Sequence, residues 1–446
     1  MDPKATRWYE LLRGFGSLYT SPGIDRFIDL LTAWVLYPGR HTITHLWQVM
    51  DPLRRRRYEA YAAFLREGRW PRPALLWRRW TQLLVAGVAR LSASIGEELP
   101  LLLDDTLLHK TGHKVAGAGQ YHDAVRSTKA RTVTAWGLNV VVLALYVTPP
   151  WGGDELYSES WGPWAVPIHA RIHHKGEATL LDLAEAMIRE VSEWLPRYRF
   201  ALSADGAYAA LARRHLPRTA VYSRMRRDAA LYEAPPARKK GQRGRPRKRG
   251  ERLSTPAQWA DTLPQSSWKS ATVVVRGKTQ QRLVFSQTVL WYTTCPDALV
   301  LMVLVRDPAG REPDDFFFTT VSTATAVAVL EHYGGRWTIE ETFRATKQQL
   351  HAENPQSWTA WGPERVVVSG FLTYGLVWFW YLLTQGAEPT MLQRPWYRTK
   401  RTPSFVDALA ELRTHLWGVR IYGEAQCDPG PPKIDAEILR ILAEAG

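Results

Sequence analysis

Two cysteines in 446 residues, Cys295 and Cys427, are too few for a disulfide scaffold or a cysteine-based zinc site, and such usage suits a reducing compartment. The opening residues, MDPKATRWYELLRG, lack the basic region, apolar stretch and small-residue cleavage site of a secretion signal. A single segment, VVVSGFLTYGLVWFWYLL at 366–383, reaches the roughly 18 residues needed to span a bilayer. Ser369, Gly370, Thr373 and Gly375 interrupt it, so it reads as a helix buried in protein, and no membrane partner is expected. The phosphate-cradling P-loop pattern and the G-x-S-x-G serine elbow are both missing, which leaves ATP-driven chemistry and serine hydrolysis without support. His109 and His113 stand four apart but lack further zinc ligands, and His173-His174 is no stronger. Acids are short as well: 43 Asp and Glu face 58 Lys and Arg, a net charge of +15. The excess favours a polyanionic partner, nucleic acid first. A soluble cytoplasmic protein is the expectation.

What is present can build real cores: 45% of residues are hydrophobic and 21 are tryptophan. The length suggests more than one domain. Residues 1–97 read as a helical region, with GIDRFIDLLTAWVLY at 23–37 carrying apolar residues at helical spacing. From Leu99 the pattern turns to β. LPLLLDD ends in acids, RTVTAWGLNVVVLALYV and WAVPIHARIH are strand-like, and GEATLLDLAEAMIREVSEWL is an amphipathic crossover helix. RYRFALSADG is a strand that stops at an acid, AYAALARRHL a second helix and AVYSRM another strand. Together these give a mixed α/β sheet, with 98–228 as the first part of a core. A Pro/Gly/Arg/Lys-rich stretch and a run of β segments at 229–320 read as a basic linker and an inserted β module. The core resumes over 321–385, and a basic tail occupies 386–446.

Two strands end in acids, LLLDDT at Asp104-Asp105 and ALSADG at Asp205. Far downstream, EHYGGRWTIEETFRATKQQL at 331–350 places Tyr333, Arg336, Glu340 and Lys347 in one expected helix. At about 100° per residue all four fall within about 60° of one another, a single narrow stripe. Gly334 and Gly335 each cost such a helix roughly 1 kcal/mol, so Tyr333 can also precede a break. If one sheet edge gathers Asp104, Asp205 and Glu340, they form an oxygen cluster suited to Mg²⁺ or Mn²⁺. Two such ions can activate a water and stabilise the leaving oxygen of an in-line phosphoryl displacement. An acid after a strand is also an ordinary turn or cap residue, and Arg336 with Glu340 could be a surface ion pair.

These residues resemble the insertion-sequence transposases of the DDE type, in the branch with a Y-R-E-K signature. The chain reads Tyr333-GG-Arg336-WTI-Glu340-ETFRAT-Lys347, a full match to that spacing. Asp104-Asp105-Thr106-Leu107-Leu108 matches the family's Asp-x-Thr-x-Leu, and the acid of SADG matches its second acid. Neighbouring strand residues face opposite ways, so Asp104 and Asp105 are alternatives, with Thr106 and Leu108 favouring Asp104. The resemblance covers roughly residues 99–385. It implies a ribonuclease-H-like mixed sheet with an inserted β module and an N-terminal helical region that reads the element ends. It also implies two divalent ions on Asp104, Asp205 and Glu340, cleavage at terminal inverted repeats, strand transfer into target DNA, and a homodimer that pairs two ends. The rivals are a non-catalytic DNA-binding protein derived from such an enzyme and a stand-alone nuclease.

Tyr333, Arg336 and Lys347 are expected to hold double-stranded DNA by its phosphates, beside the acids. In RKKGQRGRPRKRGER, residues 238–252, Arg243-Gly244-Arg245-Pro246 looks like the core of an AT-hook, whose extended arginines lie along the narrow minor groove of A·T-rich DNA. A basic linker clamping phosphates without sequence preference is the other reading. Trp291 or Tyr292 could stack on a flipped base, although core packing is the plainer role.

Overall fold

The computed structural model describes residues 2–422 apart from 52–55, 92–95, 129, 150–161, 238–244, 276–277, 356, 360, 387–388, 393, 396–399 and 401. Five helices come first: α1 (Pro3–Arg13), α2 (Ser21–Leu36), α3 (Ile43–Met50), α4 (Tyr58–Arg66) and α5 (Pro73–Leu91). Strands β1 (Glu98–His109), β2 (Gly119–His122), β3 (Thr134–Val147) and β4 (Trp164–His173) follow, then α6 (Leu180–Trp194), β5 (Arg199–Ala204) and β6 (Thr219–Arg224). A short α7 (Pro256–Thr262) precedes β7 (Lys269–Val275), β8 (Lys278–Val289), β9 (Val300–Arg306) and β10 (Asp315–Thr319). Helices α8 (Ala326–Gly334), α9 (Thr338–Gln348), α10 (Gly362–Thr384) and α11 (Phe405–Tyr422) complete the fold. This is the mixed α/β architecture expected of a ribonuclease-H-like protein with N-terminal helices.

The chain divides into two compact units. One holds Met1–Ser94, Asp105–Thr179 and Glu340–Gly446; the other holds Ile95–Asp104 and Leu180–Ile339. In the second unit, the first half of β1 pairs in parallel with β5, and β5 in parallel with β6. Beyond β6 the pairing turns antiparallel through β10, β9, β8 and β7, so the β segments expected as an insertion extend this unit's sheet through β10. Helix α8 covers it, burying Val329 and Leu330 among Ala201, Tyr222, Val303 and Phe317. The stretch GAYAALAR is a 3₁₀ segment, Gly206–Arg213, where a second α-helix was expected. Residues His215 and Arg218 just after it take left-handed backbone angles, φ 48° and 51°, and the chain turns straight into β6.

In the first unit β3 pairs antiparallel with β2 and β4. Helices α5 and α10 pack on β4: Trp80 Nε1 donates to the Pro167 carbonyl at 2.7 Å, and the rings of Trp164 and Trp378 stack 3.9 Å apart. Helix α10 is the one helix among the described residues long and apolar enough to cross a membrane, and 94% of its most apolar stretch is buried inside the protein. After the basic stretch 394–403, α11 packs against α1, α2 and α10.

Helices α1 and α11 are joined by a charged cluster. Asp2 caps α1, accepting from the backbone N–H groups of Lys4 and Ala5 ahead of a helix that opens on Pro3. The same carboxylate meets His415 Nδ1 at 2.6 Å, His415 Nε2 meets Glu411 at 3.2 Å, and Lys4 meets Glu411 at 2.5 Å. Burial works against charge here, but hydrogen bonds from His415 and Lys4 hold the Glu411 carboxyl down at about 2. Burial likewise opposes the charged ring of His415, yet Glu411 and Asp2 outweigh it and raise the imidazole. The two shifts bound a pH window. The His415 contribution is full below its unfolded value of about 6.5 and is lost as pH rises through the raised folded value. The Glu411 contribution is full above about 4.3 and is lost as pH falls toward about 2. Thermal melts of the full chain should therefore show Tm declining by roughly 2–4 °C on the alkaline side for each kcal/mol lost. His415→Gln should flatten that alkaline decline; an unchanged slope would remove His415 from the account.

Candidate active site

In the second unit, the stretch of β1 that leads to Asp104 lies beside β5, which leads to Asp205. Strands β1 and β5 run parallel, and their last paired rung is Leu103 with Ala204. Asp104 is the next residue of β1 and Asp205 the first beyond β5, so the two acids leave the sheet from neighbouring positions, on strands that are spaced about 4.8 Å apart. Continued by one residue, that register would align Asp104 rather than Asp105 with Asp205. Asp205 precedes the 3₁₀ segment, yet its side chain makes no capping hydrogen bond there. The turn is held by its backbone instead: the Asp205 carbonyl accepts from Tyr208 N at 2.9 Å and from Ser223 Oγ at 3.1 Å. The ordinary cap explanation for this acid therefore fails.

Two neighbouring carboxylates repel, and a cation stands between that repulsion and the fold. Arg336 Nη1 meets Asp104 Oδ2 at 2.6 Å, with the two side chains 13% and 19% exposed. The arginine is carried by a 3₁₀ turn, Gly335–Trp337, that links α8 to α9. The single helix and continuous stripe expected over 331–350 are thus corrected: the glycine pair breaks the rod into two helices, as its helix penalty allows. Tyr333 closes α8 with its ring 5.7 Å from the Arg336 guanidinium and 4.8 Å from the Phe317 ring. Burial pushes the Tyr333 hydroxyl up; Arg336 pulls it down, and the charge of Asp205 pushes it up again. Asp104, Asp205, Arg336 and Tyr333 form one electrostatic group.

Glu340 and Lys347 belong to the first unit, both on α9. Burial pushes the Lys347 ammonium down, and the carboxylates of Glu353 and Asp123 pull it back up. Of the expected minor-groove arginines, Arg243 lies outside the described residues; Arg245 is exposed, in a stretch with neither helix nor strand. Trp291 is 4% exposed and meets Phe318 edge-on at 5.1 Å, so it is a core residue. Tyr292 faces the Arg249 guanidinium at 5.5 Å. His113 packs near Trp136, and His109 lies among carboxylates that no sequence spacing announced.

Among the described residues, no group of three or more His, Cys, Asp or Glu side chains is placed so that it could hold a metal ion. The pair Asp104 and Asp205 offers hard oxygen donors, the chemistry Mg²⁺ and Mn²⁺ select. Asp104 is already ion-paired to Arg336 at 2.6 Å.

A mixed α/β fold with one acid on a parallel strand where its pairing stops, and another just past the neighbouring strand, fits a class, the carboxylate-dependent enzymes of phosphodiester chemistry. Residues 25–282, more than half of the chain, match the family described as DDE superfamily endonuclease, and the chain belongs to that family. The match takes in Asp104 and Asp205 and ends before Glu340. No curated protein matches the chain. Membership carries nuclease or transposase chemistry on DNA, in a family that generally uses divalent metal ions.

Proposed function

We propose that the protein is a DNA transposase of the insertion-sequence, Y-R-E-K type, and that it moves its element by cutting both ends and joining them to a target. The observation that supports this reading is the parallel register of β1 with β5, which ends at Leu103 and Ala204 one residue short of Asp104 and Asp205, together with the ion pair between Asp104 and the arginine of the Y-R-E-K spacing. Glu340 supplies the third carboxylate, a role supported by its spacing to Arg336 and Lys347. Two ions of Mg²⁺ or Mn²⁺ on Asp104, Asp205 and Glu340 would supply Lewis acidity for phosphodiester cleavage.

The protein's own groups bind and orient. Arg336 and Tyr333 hold the backbone beside the acids, and Lys347 grips a phosphate from α9. Arg243 and Arg245 contact DNA from the basic linker, and the N-terminal helices read the terminal inverted repeat. A homodimer pairs two ends in the bacterial cytoplasm. Water attack at the element end forms one P–O bond as it breaks another, leaving a 5′-phosphate on one strand and a 3′-hydroxyl on the other; that 3′-oxygen then attacks a target phosphodiester and displaces a target 3′-oxygen. Bond count is unchanged in the second step, which suits a chain without a nucleotide-binding loop.

The test incubates the full chain and Mg²⁺ with labelled duplexes bearing the inverted repeats that flank its coding region, plus a target plasmid. Joined products support the transposase. Cutting without joining makes the protein a nuclease, as the family description alone would allow, and binding without cutting makes it a DNA-binding derivative.

A further inference from the structure

The basic linker ends in a pinned turn. Residues 238–250 hold eight Lys and Arg and no acid, so their charge is not neutralised from within. Just beyond, the chain folds back on the segment that leads into the linker. Leu253 N donates to the Leu231 carbonyl at 2.9 Å, Glu233 N to that of Glu251 at 2.9 Å, and Gly250 N to that of Glu233 at 3.1 Å. Tyr232 and Leu290 exchange backbone hydrogen bonds, at 3.0 and 2.8 Å. Leu231 and Leu290 are 0% and 2% exposed, so the pairing is rooted in the interior of the second unit. Gly250 permits the close return: a Cβ there would lie 2.6 Å from the Ala234 carbonyl oxygen.

Arg249 stands one residue before that glycine and is held in place. Its Nη1 donates to the Tyr232 hydroxyl at 2.9 Å, and its guanidinium lies 4.6 Å from the Tyr232 ring and 5.5 Å from that of Tyr292. A guanidinium has five N–H donors, and the tyrosine hydroxyl takes one. Among the described residues no carboxylate pairs with Arg247, Lys248 or Arg249, and all three are exposed. Together with Gly250 and Tyr292 they line an open concavity of about 420 Å³. An arginine on a loose tether loses rotamer freedom when it meets an anion; one already seated against two aromatic rings loses less.

We propose that this concavity is a phosphate site for duplex DNA, with Arg249 as its fixed member and Arg247 and Lys248 closing on the same backbone. It deepens the reading above, in which the linker meets DNA through Arg243 and Arg245, and rests on it. The fork of Arg249 suits the paired oxygens of a phosphodiester, and the cations beside it displace counter-ions from the duplex. From Gly250 back to Arg245 the chain spans at most about 18 Å. A minor-groove arginine and the phosphate site would therefore fall within one helical turn of DNA, about 34 Å.

The experiment measures equilibrium binding of the full chain to a fluorescein-labelled mixed-sequence duplex across a salt series. Arg249→Gln should weaken binding roughly tenfold and lower the salt slope by about one phosphate contact. Arg247→Gln combined with Lys248→Gln should lower the slope by up to about two. Arg249→Lys and Tyr232→Leu leave the net charge unchanged, so lost charge cannot explain their effect. Each should still weaken binding by about three- to fivefold, because the fork, or the ring that seats it, is gone. Gly250→Ala, which forces the turn apart, should resemble Tyr232→Leu. Arg249 is exposed, so Arg249→Lys spares the fold and decides the matter should the other neutral variants unfold. Wild-type affinity for Arg249→Gln, Arg249→Lys or Tyr232→Leu would overturn the proposal and leave a linker of diffuse charge. So would losses confined to a single-stranded oligonucleotide of the same length. Failure of the wild-type chain to bind duplex DNA would instead remove the reading on which the site rests.

Discussion

Replacing Asp205 by asparagine, or Glu340 by glutamine, is expected to slow DNA cleavage by at least about a thousandfold, roughly 4 kcal/mol of transition-state stabilisation. Duplex binding should be retained. The argument for Asp205 is unusually clean because its side chain has no local structural duty. It makes no capping bond, and the turn hangs on its carbonyl, which accepts from Tyr208 and Ser223 whatever the side chain is. Asparagine preserves shape and removes only the negative charge, so a loss of rate cannot be assigned to misfolding. Removing a negative charge from a DNA-facing site also lessens repulsion of phosphate, so the affinity of Asp205→Asn should match or exceed that of wild type. Single-turnover cleavage of a labelled element end, paired with equilibrium binding to the same duplex, separates the two effects. Cleavage by Asp205→Asn within about tenfold of wild type would exclude it as a metal-holding acid. Glu340 rests on spacing, so its variant is the sharper probe of the Y-R-E-K assignment: full activity in Glu340→Gln with a dead Asp205→Asn would leave the family intact and move the third acid elsewhere.

The parts of this site that could be read in advance are those that local chemistry dictates. An apolar run cut off by an acid marks the end of β5 before Asp205, whereas β1 runs on through Asp104 to His109 and only its pairing with β5 stops there; the buried character of α10 follows from the small and polar residues that interrupt its apolar run. The break after Tyr333 was foreshadowed by the glycine pair, but the strength of one helix penalty does not decide between a kink and two helices. The turn at Gly335–Trp337 carries Arg336 to Asp104, a pairing across 232 residues that tertiary contacts decide. Parallel register is equally silent in sequence, because a one-residue slip would face the acids apart while leaving every strand pattern intact. The His109 group was beyond reach for the same reason. Asp123 lies 14 residues away and Glu353 lies 244 away, and neither stands in a ligand-like spacing to the histidine.

Arg365→Met should destabilise the first unit by about 3–5 kcal/mol, the range for stripping one partner from a buried charged network. Arg365 lies on α10 and is 8% exposed. Its guanidinium caps the end of α4 from another element: Nη1 donates to the carbonyls of Phe64 and Leu65, both at 3.0 Å, and Nη2 to that of Gly68 at 2.9 Å. A helix leaves its last carbonyls without internal partners, and its C-terminal end carries partial negative charge, so a buried cation there answers both needs. The plane also lies 5.4 Å from the Trp70 ring. Methionine fills similar space but donates nothing, which leaves three carbonyls in a site that water does not readily reach, at about 1–3 kcal/mol each before relaxation. Lysine should recover only part of the loss, since one ammonium cannot reproduce a planar fork spread over three acceptors. Urea unfolding followed by circular dichroism measures this loss. A loss below about 1 kcal/mol would mean that α4 finds other donors, and that the α10–α4 junction is held by apolar packing rather than by this arginine.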